Sequence, residues 1–125
     1  MRHPKTVIVA TANTWGTGGT AMYCGRARLD AATLDRWTCA KIMVDYDNNV
    51  EAKIIASALP NESAKMLAAF VAKVRKAIAT NKLQRLCSTR FVINATKLMA
   101  AGKDLEYVKQ KFLADWDESQ KKLVE

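Results

Sequence analysis

The 125-residue chain has one histidine, His3, two prolines and three cysteines. With one histidine and no nucleophile beside it, the sequence argues against a Ser-His or Cys-His catalytic pair. Cys24, Cys39 and Cys87 are widely spaced and form no CxxC pair. The roughly four N/S ligands of a structural zinc site need tight spacing, which these lack, and the cysteines read as buried or half-buried free thiols of a reducing compartment. Aromatic residues make up only 7% of the chain. None interleaves with basic residues as the stacking platforms of single-strand nucleic-acid binders do. No apolar run approaches the roughly 18 residues of a membrane span. The run 7–12 behind Met1–Lys5 is too short for a secretory signal and no small-residue cleavage site is clear. The reading is a cytoplasmic chain with no membrane partner.

Acidic residues are also few: 12 against 20 basic ones, a formal charge of +8. Half of the residues are apolar, which is too many for a disordered tail. The excess charge invites a nucleic-acid partner, yet the lysines are spread over the solvent faces of three helices and no basic cluster of five to eight residues exists. A solvated helix face accounts for them better. The length fits one domain or a piece of one.

Residues 5–13 are β-branched and almost continuously apolar, as in a strand buried on both faces of a parallel sheet. A loop follows, in which four of the five glycines (16, 18, 19 and 25) fall within ten residues. Residues 29–36 suit a short helix with Asp30 as N-cap, and 37–44 read as a second strand. The turn Asp45-Tyr46-Asp47-Asn48-Asn49 breaks that strand and can cap the next helix. Helices are then expected over 50–59, stopped by Pro60, over 62–80, over 88–101 with Ser88 as cap and Gly102 at C′, and from about Asp104 to near the end. On the second of these, Met66, Leu67, Phe70, Val71, Val74 and Ile78 make the apolar face, and Lys65, Lys73, Arg75 and Lys76 the wet one. The last helix carries Leu105, Val108, Phe112, Leu113, Trp116 and Leu123 on its apolar face. The chain thus reads as an α/β part, 1–44, followed by an all-α part, 45–125. Two strands and one short helix are not a viable sheet on their own.

Three residues stand out chemically. Asn13 ends the first strand, where open α/β sheets bind ligands; it either holds a water or a phosphate oxygen or simply starts the turn. Arg36 leaves the short helix just before the second strand. Its planar fork can reach a phosphate on a neighbouring subunit, as an arginine finger does, or pair with Asp30 or Asp35. Arg90 lies in the first turn of a helix, where it opposes the helix dipole; it either matches an anion there or is an ordinary surface arginine. The loop 16–20 has neither the G-x-x-x-x-G-K-[ST] nor the G-x-G-x-x-G spacing, and reads as a connection or hairpin rather than a phosphate cradle.

Taken in order, VIVATANTWGTGG, YCGRARLDAATLDRW, the acidic turn, the helices and STRFVINATKLMAAG resemble the second half of an AAA+ ATPase module over about residues 5–115. The type is that of MoxR and the cobaltochelatase small subunit, also described as dynein-related AAA domains. The resemblance implies a partial P-loop NTPase fold, mostly helical, with the end of the α/β core at 1–44 and an α-helical lid at 45–125. It implies sensor 1 at Asn13, an arginine finger at Arg36 and sensor 2 at Arg90, with Arg26 and Arg28 near the subunit interface. ATP and Mg²⁺ are the implied cofactors, bound through the missing half or a neighbouring subunit. The implied partners are homo- or hetero-oligomeric ring subunits, with a protein substrate or a chelatase beyond them. No Walker A GK[ST] and no apolar strand ending in Asp-Glu is present. Hence the chain reads as a fragment, a split-gene half or part of a longer product, inactive in ATP hydrolysis alone. Two other readings stand beside this one. One is a small basic helical module docking on nucleic acid or an acidic protein without catalysis. The other is a non-catalytic subunit donating Arg36 to another protein's ATP site.

Overall fold

The computed structural model describes residues 3–20, 23–39 and 41–124. The chain divides into two compact units, Met1–Met43 and Val44–Glu125.

The first unit holds one helix, α1 (Ala31–Asp35), capped as expected by Asp30, whose carboxylate accepts from the Thr33 amide at 2.9 Å and the Thr33 hydroxyl at 2.7 Å. The glycine-rich loop closes on itself through reciprocal Thr20–Tyr23 backbone hydrogen bonds, and the Leu29 amide reaches the Gly16 carbonyl at 2.9 Å. Gly16 is the one buried residue of this unit among those described. It has φ 78°, and a Cβ there would meet Leu34 Cδ2 at 2.7 Å and Leu29 Cδ1 at 2.8 Å. The backbone region calls for glycine, and a Cβ would also have to push these two leucine methyls aside.

The two expected strands are not found among the described residues, and the α/β reading of 1–44 is corrected accordingly. Residues 5–13 run without a ladder, with Val7 and Val9 83% and 82% exposed. Trp37–Cys39 continue the end of α1 as a turn, and 41–44 are unpaired; Ala40 lies outside the described residues. The reason is physical. A β-branched run becomes a strand only when its amides and carbonyls find a partner strand, and no second strand is described in this unit.

The second unit is all helical, as the lid reading expected: α2 (Asn48–Ala56), α3 (Asn61–Thr80), α4 (Thr89–Ala100), α5 (Leu105–Phe112) and α6 (Glu118–Lys121). Asp47 caps α2 by accepting from the amides of Asn49 and Val50 at 2.9 and 3.0 Å. Pro60, with φ −58° and ψ 151°, sets the entry to α3. Ser88 stands at the N-cap of α4, but its side chain makes no cap hydrogen bond. At the other end Gly102, φ 89°, closes a Schellman motif: its amide donates to Met99 and that of Lys103 to Leu98. Asp104 caps α5 through the Tyr107 amide at 2.8 Å.

α2 packs on α3 and α4, and α5 packs on α3 and α4. Every buried apolar side chain among the described residues lies in this unit, between Ile55 and Val124. Leu67, Val74, Val92 and Val108 are fully enclosed. Phe91 and Phe112 lie 4.1 Å apart by ring centroids, and Phe70 meets both edge-on at 6.4 and 6.2 Å. On α3, Met66 is half exposed rather than core, and Ala77 is buried instead.

The last helix is not continuous. It stops at Phe112 and resumes as α6 at Glu118. Arg85 braces the segment between them: its guanidinium donates to the Asp115 carbonyl, to the Asp115 carboxylate at 2.6 Å and to Gln120 Oε1 at 3.2 Å. A carbonyl turned towards Arg85 is withdrawn from a helical ladder, and Trp116 is buried behind it. Val124, not Leu123, is the buried residue at the end.

Candidate functional site

The densest polar arrangement in the helical unit surrounds the start of α4. Glu51 lies in the first turn of α2 and is buried. Arg75 of α3 grips it with a paired contact, Nη1 to Oε2 at 2.7 Å and Nη2 to Oε1 at 2.8 Å. The Thr89 hydroxyl donates to Glu51 Oε1 at 2.5 Å. Arg75 Nε donates to the Cys87 carbonyl at 2.9 Å, and the guanidinium carbon sits 3.9 Å over the Tyr46 ring.

The helix period brings these groups together. Asn48, Glu51, Ala52 and Ile55 on α2 and Ala68, Val71, Ala72 and Arg75 on α3 follow the same i, i+3, i+4, i+7 spacing, and they line one cleft of about 280 Å³. Small residues along that seam let the two helices approach. The polar pair closes one part of it.

Electrostatics follow from the geometry. The Arg75 hydrogen bonds hold the Glu51 carboxyl below the usual carboxylate range; burial opposes this and Thr89 reinforces it. The same pairing holds the Arg75 guanidinium above its ordinary value, against its burial. Burial is the main cause pushing the Cys87 thiol up to about 11. Arg75 was expected on the wet side of α3. Its side chain is instead 17% exposed and that of Glu51 6%. Lys65, Lys73 and Lys76 do face solvent, as expected.

Arg90 is the second residue of α4 and is exposed. Asn13 and Arg36 lie in the first unit, both exposed, Arg36 at the C-cap of α1. Among the described residues the Arg36 guanidinium pairs with neither Asp30 nor Asp35, and no hydrogen bond or ion pair joins it to Asn13. An apolar cleft of about 210 Å³ lies in the first unit, bordered by Trp15, Leu29, Leu34 and Trp37; Asn13 and Arg36 are not among its lining residues. No group of three or more metal-ligating side chains is found among the described residues. No helix among them is long and apolar enough to cross a membrane.

A family model described as CbbQ/NirQ/NorQ C-terminal matches residues 51–115, more than half of the chain. The chain belongs to the CbbQ/NirQ/NorQ C-terminal family. The match places the chain with the C-terminal region of MoxR-type AAA+ proteins and makes it part of an AAA+ ATPase. Nothing matches among curated proteins or among solved structures. The CbbQ/NirQ/NorQ region begins at Glu51 itself and contains Arg75, Cys87, Thr89 and Arg90. Arg85 and Asp115 also fall within it. Asn13 and Arg36 fall outside it.

Sequence reasoning missed Glu51, Arg75 and Arg85. An i, i+3, i+4, i+7 row on α2 that starts polar at Asn48 and Glu51 and ends apolar at Ile55 was the one signal available for the first pair.

Proposed function

We propose that this chain supplies the lid and the phosphate-sensing side chains of an AAA+ ring ATPase. Arg90 contacts nucleotide phosphate as sensor 2, Arg36 reaches the ATP of a neighbouring ring subunit as the finger, and Asn13 orients the attacking water as sensor 1. One observation carries the reading. Within the matched region, an exposed arginine stands in the first turn of a helix whose start is held by a buried ion pair. A free arginine fork at a helix N-terminus is chemistry suited to a triphosphate. ATP and Mg²⁺ are held in this reading by the Walker A and B groups of the other half of the module or of a neighbouring subunit, and this chain's own part is the three side chains named. A chelatase or a remodelled protein as the ring's target belongs to the same proposal.

The test is complementation. A MoxR-type subunit with intact Walker A and B motifs, but with its own finger and sensor 2 arginines replaced, is mixed with the 125-residue chain. Turnover of ATP is expected to recover with the unaltered chain and to stay low with Arg36→Ala or Arg90→Ala. An arginine finger contributes on the order of 10³ or more to such a rate. The chain alone is expected to be inactive. Steady hydrolysis by the chain alone, lost in Arg36→Ala, would overturn the proposal.

A further inference from the structure

Arg90 sits between two anchored neighbours. Thr89, before it, donates to buried Glu51 at 2.5 Å. Phe91, after it, has its ring centroid 4.1 Å from that of Phe112 and 6.4 Å from that of Phe70. Two residues before Thr89, the Cys87 carbonyl takes the Arg75 Nε hydrogen at 2.9 Å. Ser88 contributes no side-chain cap, so the start of α4 is fixed from α2 and α3 rather than by its own first residue.

We infer that Glu51, Arg75 and Thr89 are positioning residues for Arg90. They lock the turn that carries it, so that its guanidinium meets a nucleoside triphosphate's phosphate with only its own rotamers left to order. This rests on the reading of Arg90 as the phosphate-facing arginine.

Three features support it. A buried ion pair contributes little net stability against well-packed apolar residues, because desolvation offsets most of the attraction; what it does supply is fixed geometry. The pair's hydrogen bonds run to the two residues that flank Ser88, one step from Arg90, and not elsewhere on α4. Arg75 also occupies both oxygens of Glu51, so the one carboxylate touching this turn is already committed. The charge of Arg90 is thereby left for an external anion.

Thr89→Val and Thr89→Ala remove the tether hydroxyl, and Thr89→Ser keeps it. In the complemented ring, Thr89→Val is expected to lower kcat on the order of ten- to a hundredfold, the usual penalty for a misplaced catalytic group, while Thr89→Ser restores it. The double variant with Arg90→Ala is expected to be no slower than Arg90→Ala alone. Amide exchange of the chain by itself is expected to quicken over the first turn of α4 in Thr89→Val and to stay unchanged in α5. Thr89→Ala serves where Thr89→Val loses its helical circular dichroism. Unaltered kcat in both hydroxyl-less variants, or a double variant slower than Arg90→Ala, overturns the inference. Full turnover in Arg90→Ala overturns the reading of Arg90 and with it this use of the tether; the exchange result then reports separately on whether the tether holds the turn.

Discussion

Glu51 is 4% exposed, and both of its oxygens are engaged by Arg75 and one also by Thr89. Its folded carboxyl titrates below its unfolded range, so it adds stability that is fully present above the unfolded value of about 4.3 and is lost as pH falls through the lower folded one. Arg75 stays charged throughout. The melting temperature is therefore expected to fall on acidification below about pH 4, with part of that slope absent in Glu51→Gln. A profile identical in the two proteins would show that other carboxylates carry the effect. At neutral pH, Glu51→Ala leaves the half-buried Arg75 without its carboxylate. Such a loss costs about 3–5 kcal/mol in fully buried pairs. A smaller destabilisation, measurable by urea unfolding, is expected here, because Arg75 keeps the Cys87 carbonyl and the Tyr46 ring. Cys87 gives a second expectation at this scale. Its thiol is buried and pushed up to about 11, so it stays protonated and shielded at neutral pH. A thiol reagent is expected to label exposed Cys24 and Cys39 in the native protein and Cys87 only after unfolding.

The helix ends show which parts of the fold a sequence displays. At Gly102 the left-handed φ of 89° costs a non-glycine residue about 1–2 kcal/mol, and a Cβ would meet nothing within 4 Å. Gly102→Ala is thus expected to destabilise the helical unit by about that amount through the backbone alone, seen as a lower urea midpoint at unchanged slope. Asp30, Asp47 and Gly102 were all legible because a cap acts within three residues of itself. The face of α3 was legible for the same reason: its period is local. Arg75 was not, because its partner lies 24 positions away and a single-helix reading groups it with the lysines around it. Nor was the break after Phe112, since the apolar period runs through it and Arg85, which braces the segment beyond it, stands 30 positions upstream of Asp115. The run 5–13 is the reverse case. Its composition suits a strand, but the ladder that makes one is not among the described residues. For the site, the place of Arg90 at a helix start was readable from Ser88-Thr89-Arg90; the tether behind it was not, for it needs three helices to come together.

The distribution of buried surface over the whole chain leads to the last expectation. All buried apolar residues described fall between Ile55 and Val124, whereas Val7, Val9 and Ile42 of the first unit are each more than four-fifths exposed. The hydrophobic driving force for folding therefore resides in Val44–Glu125, and the first unit holds little that would fold it in isolation. Residues 44–125 expressed alone are expected to keep the helical circular dichroism and a cooperative melt within a few degrees of the full chain. The full chain is expected to bind a hydrophobic dye such as ANS through its exposed valines, and removal of residues 1–43 to abolish most of that signal. Val7→Lys with Val9→Lys should reduce it in the full chain without moving the melt, because neither side chain is part of the helical core. A shortened chain that melts without cooperativity would show that the first unit contributes to the core's stability, and equal dye binding by both lengths would place the exposed apolar surface on the helices instead.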